Sequence, residues 1–189
     1  MRIISGSAKG RALRTPPPRS SAIRPTTDRA REALFSIIGP DIGGRHVLDL
    51  CAGTGAFGCE ALSRGAASAV FVDNARTALD LIAENIAVIP AGASRSRIVR
   101  HDLCKGLDHP ALTGAISSPV DLVFADPPYL TPLTAVILAS IDTCTILAEN
   151  PLVILEEQKR FDSPETLNRF WKTDTRKYGD STFTFYQLK

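Results

Sequence analysis

Asp126-Pro127-Pro128-Tyr129 follows the apolar run VDLVFA, and it is an unusual way for a chain to leave a sheet. Two consecutive prolines fix φ at both positions and remove two backbone donors, so the turn is stiff and its carbonyls lack helical or ladder partners. A carboxylate, a carbonyl and an aromatic face are held together. Such a set suits a planar amine: Asp126 and the carbonyl of Pro127 can each accept one amino hydrogen while Tyr129 stacks on the attached ring. The same residues would also serve a proline-terminated strand with a capping aspartate and no chemistry.

A second constellation lies upstream. DLCAGTGAFG carries Gly53, Gly55 and Gly58 in G-x-G-x-x-G spacing between an apolar run and a helical pattern, and Asp73 ends the next apolar run 20 residues after Gly53. Glycines so spaced let the backbone approach a ligand and open a helix beneath it, and the later acid suits a ribose diol. The pattern predicts a site for an adenosine-bearing ligand, either a dinucleotide or S-adenosylmethionine. Two acids favour the methyl donor. Asp49, four residues before Gly53, can meet the amino group of a methionine moiety, and Asp102 in His101-Asp102-Leu103 can accept from an adenine N6 amine. A solvent-facing loop aspartate is the other reading of Asp102.

These residues need elements to hold them. HVLDLC, SAVFVD, SRIVRHDL, DLVFADPP and NPLVILEEQ read as strands, separated by the helical patterns AFGCEALSRG, ARTALDLIAENIAVI and LTAVILASIDTC. Strands of unbroken apolar character alternating with helices predict a mostly parallel sheet covered on both faces. FWKTDTRKYG and TFTFYQLK, joined through Gly179-Asp180-Ser181, predict an antiparallel hairpin that closes the sheet. Before the first strand, Thr27 or Asp28 can cap a helix to Ile38 whose apolar stripe is Ala30, Ala33, Leu34, Ile37 and Ile38. RIISGSAKGRALRTP folds back around Gly6 to Gly10 as a small hairpin. The predicted division is a basic hairpin extension over 1–23 and a single α/β domain over 24–189.

Charge separates the two parts. Residues 1 to 31 hold eight of the 22 Lys and Arg against one acid, Asp28, a local +7, which leaves 14 bases and 19 acids elsewhere, or −5. A basic arm on a mildly acidic body suits phosphate binding through Arg2, Lys9, Arg11, Arg14 and Arg19; a solvated tail has the same composition. With 44% hydrophobic residues and no apolar run near the length of a membrane span, the chain reads as soluble. The N-terminus has no apolar signal segment, so the cytoplasm is the expected compartment. Cys51, Cys59, Cys104 and Cys144 form no CxxC pair and no zinc spacing, which predicts buried reduced thiols and no metal.

DPPY after such a strand, with AGTGAFG upstream, resembles the class I S-adenosylmethionine-dependent methyltransferases that modify nucleobase amino groups. RIISGSAKGRAL, RPTTDRAREALF, DLCAGTGAFGCEALSRGA, FVDN, DPPY and YGDSTFTFY together are similar to the RsmD-type bacterial enzymes. The resemblance implies methylation of guanine N2 in 16S ribosomal RNA, a Rossmann-like seven-stranded sheet, no metal, and a monomer acting on an assembled or nearly assembled small subunit. It implies a donor site at Asp49, Ala52, Gly53, Gly55, Asp73, Asn74, Asp102 and Leu103, with catalysis at Asp126, Pro127 and Tyr129. It also places Arg24, within RPTTDRAREALF, among the RNA-binding residues and beside the donor pocket. Asp73 stands where many relatives carry Glu, and Cys59 where an aliphatic residue is expected. A DNA adenine-N6 methyltransferase would use the same DPPY turn but leaves little room here for target recognition. A nicotinamide-dependent dehydrogenase leaves DPPY unexplained, and a bare RNA-binding module leaves the strand-end acids unexplained.

Overall fold

Why the central strands are apolar on both sides is visible in the computed structural model, which describes residues 1–16, 28–39, 42–128, 131–158 and 163–189. β1 (His46–Leu50), β2 (Ser68–Asp73), β3 (Ser96–Arg100), β4 (Val120–Ala125) and β5 (Leu147–Gln158) run parallel in the order β3-β2-β1-β4-β5. The sheet then continues through β7 (Ser181–Leu188), antiparallel to both β5 and β6 (Phe170–Tyr178), giving seven strands with β6 at the edge. This is the expected mostly parallel sheet with a closing hairpin.

Side chains alternate across it. Val47, Phe71, Leu122 and Phe124 enter one core with α1 (Asp28–Ile38), α2 (Ala56–Ser63) and α3 (Arg76–Ile86). Leu48, Leu50, Val70, Val72 and Val123 enter the other, against α4 (Pro110–Thr113) and α5 (Leu133–Thr143). The crossover between the two layers falls where β1 meets β4, the position at which an open parallel sheet leaves a crevice beyond its strand ends. Among the described residues no helix is long and apolar enough to cross a membrane.

Several boundaries differ from the periodicity. β3 stops at Arg100 because the Asp102 carboxylate accepts from the Cys104 N–H and winds Leu103–Lys105 into a 3-10 turn. In α1 the buried face is Ala30, Arg31, Leu34, Phe35 and Ile38, whereas Ile37 is exposed. The stripe is rotated toward Phe35, whose ring lies 5.0 Å from that of Phe57 in α2. Of the four thiols, Cys59 and Cys144 are buried as expected, Cys51 is half-buried, and Cys104 is exposed on the short turn.

The N-terminal segment is bound tightly to this body. Residues 2 and 12 pair across a small hairpin, and Ile3, Ala8 and Leu13 are buried in the same core as α2 and α3. Three buried polar side chains satisfy its backbone. Glu60, at 0% exposure, accepts from the N–H groups of Ile4 (2.8 Å) and Ser5 (3.0 Å). Ser63 Oγ accepts from the Ala8 N–H and donates to the Ser5 carbonyl. Asn85 accepts from the Arg14 N–H at 2.6 Å and donates to the carbonyls of Arg14 and Thr54. A segment paired in this way is ordered by the body it covers.

Candidate active site

Strand register brings the acids together. Asp49 pairs with Phe71 of β2 and Phe124 of β4, so all three side chains lie on the α1–α3 face. Two residues further along, on the same face, the neighbouring strands present Asp73 and Asp126. Period-two geometry thus converts three separate strand ends into one cluster of carboxylates.

The loop after β1 shapes the space above them. Gly55 caps α2 with φ 69°, a left-handed conformation that a side chain would strain. Gly58 fulfils a different need: a Cβ there would meet the Phe71 ring at 2.3 Å, so its absence lets α2 pack down on β2. Asp73 braces the loop, its Oδ2 accepting from the Gly53 N–H and its Oδ1 from the Ala75 N–H, both at 2.9 Å. Each oxygen retains a lone pair for a vicinal diol.

Asp49 is almost wholly enclosed at 1% exposure and accepts from the Gly58 N–H at 3.0 Å. Burial pushes its carboxyl up to about 8; the Gly58 N–H opposes the shift and the Asp73 charge adds to it. Asp126 is half-buried, and its N–H donates to the Leu50 carbonyl at 3.2 Å. Enclosure by the surrounding protein raises its pKa well above the ordinary carboxylate range, reinforced by the charges of Glu156, Asp49 and Glu157. Both acids are therefore poised to respond to an incoming positive charge or donor.

A cavity of about 570 Å³ opens over these groups, within the usual ligand-pocket range of roughly 300–1,000 Å³. Of the expected donor-site residues, Asp49, Ala52, Gly53, Asp73, Asn74, Asp102 and Leu103 line it, as do Asp126 and Pro127 of the expected catalytic turn. Gly55 is not among its lining residues; it sets the turn. Tyr129 lies outside the described residues. Phe57 and Phe124, stacked with centroids 4.1 Å apart, form an apolar wall that sequence reading did not single out, and Arg31 joins them. A charged residue inside the apolar stripe of α1 was the available signal for Arg31.

The expected RNA-binding residues sit elsewhere. Arg2, Lys9, Arg11 and Arg14 are exposed on the docked N-terminal segment, with Arg11 donating to the Val88 carbonyl at 2.5 Å and Arg14 lying 3.8 Å from Glu84. Arg19 and Arg24 lie outside the described residues. Among the described residues no group of three or more His, Cys, Asp and Glu is arranged to hold a metal ion.

The family model described as Conserved hypothetical protein 95 matches residues 1–187, almost the whole chain. The chain belongs to that family. Its curated relatives include Ribosomal RNA small subunit methyltransferase D of Escherichia coli (strain K12), 35% identical over 188 residues that cover 99% of this chain and 89% of the relative. The protein of the same name from Haemophilus influenzae is 30% identical over 172 residues, 90% of this chain and 84% of that one. The solved structure of yhhF from Escherichia coli superimposes with TM-score 0.83 at 29% identity, covering 100% of this chain and 98% of its own. The rRNA methyltransferase aviRa from Streptomyces viridochromogenes, 15% identical, shares the fold at TM-score 0.67 over 89% and 87% of the two chains. The family is the RsmD-type methyltransferases that the motifs resemble, and the fold is that of class I methyltransferases. The acid cluster of this family member faces one continuous cavity at the sheet's crossover.

Proposed function

We propose that the chain transfers a methyl group from S-adenosylmethionine to the exocyclic N2 of a guanine in 16S ribosomal RNA. The observation that carries this reading is the convergence of Asp49, Asp73 and Asp126 on one face of the sheet around a single cavity, in a chain of this family. The named substrate of its curated relatives, small-subunit ribosomal RNA, supports the choice of target.

The residues fit the donor chemically. Asp49 faces the ammonium of the methionine moiety, Asp73 the ribose diol, and Asp102 the adenine amine, with Ala52, Gly53, Asn74 and Leu103 forming the surrounding surface. The donor supplies a sulfonium-activated methyl group. Asp126 and the Pro127 carbonyl accept the two hydrogens of the target amine, localise its lone pair and point it along the transfer axis, while Tyr129 stacks on the base. One N2 proton must leave when the N–C bond forms and the C–S bond breaks. The elevated pKa of Asp126 suits it to receive that proton.

RNA phosphates are gripped by Arg2, Lys9, Arg11, Arg14 and Arg19 on the basic extension over 1–23, with Arg24 at its junction with the body. The enzyme acts in the cytoplasm, as a monomer, on an assembled or nearly assembled small subunit. The deciding experiment incubates purified subunits from a strain lacking the enzyme with labelled donor and maps the product. A single N2-methylguanine in 16S RNA is expected; a methyl group at any other kind of position, or none, would overturn the reading. On the same subunits, neutral replacements at Lys9, Arg11 and Arg14 should flatten the salt dependence of RNA binding, by about 0.7 to 0.9 of log-log slope for each phosphate no longer neutralised. An unchanged slope would free the extension from RNA binding.

Donor affinity should rise with pH. With its pKa at about 8, Asp49 carries a proton at pH 6 in the empty site and must lose it to pair with an ammonium. The bound state thus has the lower pKa, so affinity weakens about tenfold per unit as pH falls below 8 and levels off above it. Calorimetry with S-adenosylhomocysteine, whose sulfur is uncharged, in buffers of different ionisation heat should register close to one proton released near pH 6.5. A dissociation constant independent of pH would remove Asp49 from the ammonium site.

A further inference from the structure

Arg31 is a buried cation with donors left over. Its side chain is 1% exposed, yet it lines the cavity. Nη2 is fully used, donating to the Arg2 carbonyl at 2.5 Å and to Asp28 Oδ1 at 2.9 Å. Nε lies 3.9 Å from Glu60 Oε2, an ion-pair distance too long for a hydrogen bond, and neither Nε nor Nη1 has a hydrogen-bond partner among the described residues. A buried guanidinium with two N–H groups of Nη1 unmet is costly unless something arrives to accept from them.

The cavity's charge pattern identifies what arrives. Asp49, Asp73, Asp102 and Asp126 line it, and among the described lining residues Arg31 is the only Lys or Arg. A ligand with separated positive groups and one negative group would match that arrangement. Arg31 and Asp49 also meet the same helix, since Gly58 of α2 donates its N–H to Asp49 and Glu60 of α2 lies at ion-pair distance from Arg31.

We infer that Arg31 forms an anion subsite for the α-carboxylate of an amino-acid moiety whose ammonium is held by Asp49, with Nη1 donating to the carboxylate. This rests on the donor reading above and extends it to the zwitterionic end of the ligand. The guanidinium is positioned beforehand by the Arg2 carbonyl, Asp28 and Glu60, so no side-chain ordering is needed on binding. The subsite would therefore select donors that retain their carboxylate. Its second consequence concerns the N-terminal segment, since the Arg2 carbonyl that holds Nη2 belongs to the docked hairpin.

The test compares S-adenosylhomocysteine with its decarboxylated analogue by calorimetry on the full-length protein. Wild type should bind the carboxylate-bearing ligand about tenfold to a hundredfold more tightly, the range of one charge-assisted hydrogen bond. Arg31→Gln should bind both ligands alike, with the decarboxylated analogue unaffected by the substitution, and Arg31→Lys should restore part of the preference. Equal binding of the two ligands by wild type overturns the inference without any variant, which keeps it falsifiable should Arg31→Gln fail to fold. Retention of the full preference by folded Arg31→Gln also overturns it. Absence of binding by both ligands to wild type would overturn the donor reading itself, and the inference with it.

Discussion

Asp126→Ala is expected to lower the rate of methyl transfer at least a hundredfold while changing donor affinity no more than a few-fold. The asymmetry follows from geometry. Asp126 follows β4, where its backbone N–H is tied to Leu50, and its carboxylate faces the cavity alongside Pro127, so the substitution removes an acceptor for the target amine and leaves Asp73 and its braced glycine loop intact. Losing one preorganised polar group at a reacting centre costs on the order of 10²–10³ in rate. Single-turnover transfer and donor titration on the same preparation separate the two effects. Asp126→Asn keeps one acceptor oxygen but cannot receive the departing proton, so it should fall between wild type and alanine. The wild-type rate should also decline on the acid side at a pH above the ordinary carboxylate range, because Asp126 must be ionised to receive the departing proton. Equal loss of donor binding and transfer in Asp126→Ala would show that the residue holds the donor instead.

The largest expected loss of stability is that of Glu60→Ala. Glu60 is buried, accepts from the N–H groups of Ile4 and Ser5 and from Arg64 Nε at 2.7 Å, and lies within ion-pair distance of the enclosed Arg31. Its removal takes one of two anionic partners from a buried cation and leaves two backbone donors unmet. Breaking such a buried pair typically costs about 3–5 kcal/mol, equivalent to a fall in Tm of roughly 6–20 °C for a domain of this size. Urea denaturation measures the first and hydrogen exchange at Ile4 and Ser5 locates it; a loss under about 1 kcal/mol would mean water replaces the carboxylate. Removing the N-terminal segment outright would be a poor test of RNA binding, because Ile3, Ala8 and Leu13 belong to the core and their deletion would damage the body as well.

Legibility in the sequence followed the range of the interactions involved. The strands, the order in which acids appear at their ends and the glycine loop are governed by local periodicity and turn chemistry, so Asp49, Asp73, Asp102 and Asp126 were readable as a set. The register shows that β1 neighbours β4, which brings Asp126 beside Asp49. The anchoring of the N-terminal segment was not readable, because Glu60, Ser63 and Asn85 look like the polar face of solvated helices until the segment that covers them is in place. Arg31 showed only as a charge inside an apolar stripe, because two of its three partners lie 29 residues before it and 29 after it, at Arg2 and Glu60. The Phe57–Phe124 wall needed the packing of α2 on β4 to emerge.

The position of β7 bears on how the protein is made. β7 lies between β5 and β6, although it is synthesised after both. A nascent chain that has reached only residue 180 therefore has no partner for the inner edge of either strand. β5 at that stage would offer an open edge carrying Val153, Ile154 and Leu155, the kind of surface that recruits other chains. The sheet can close only when Ser181–Leu188 emerges and slots into the gap, so folding of this domain is completed late, and incomplete translation products are candidates for rapid aggregation or proteolysis.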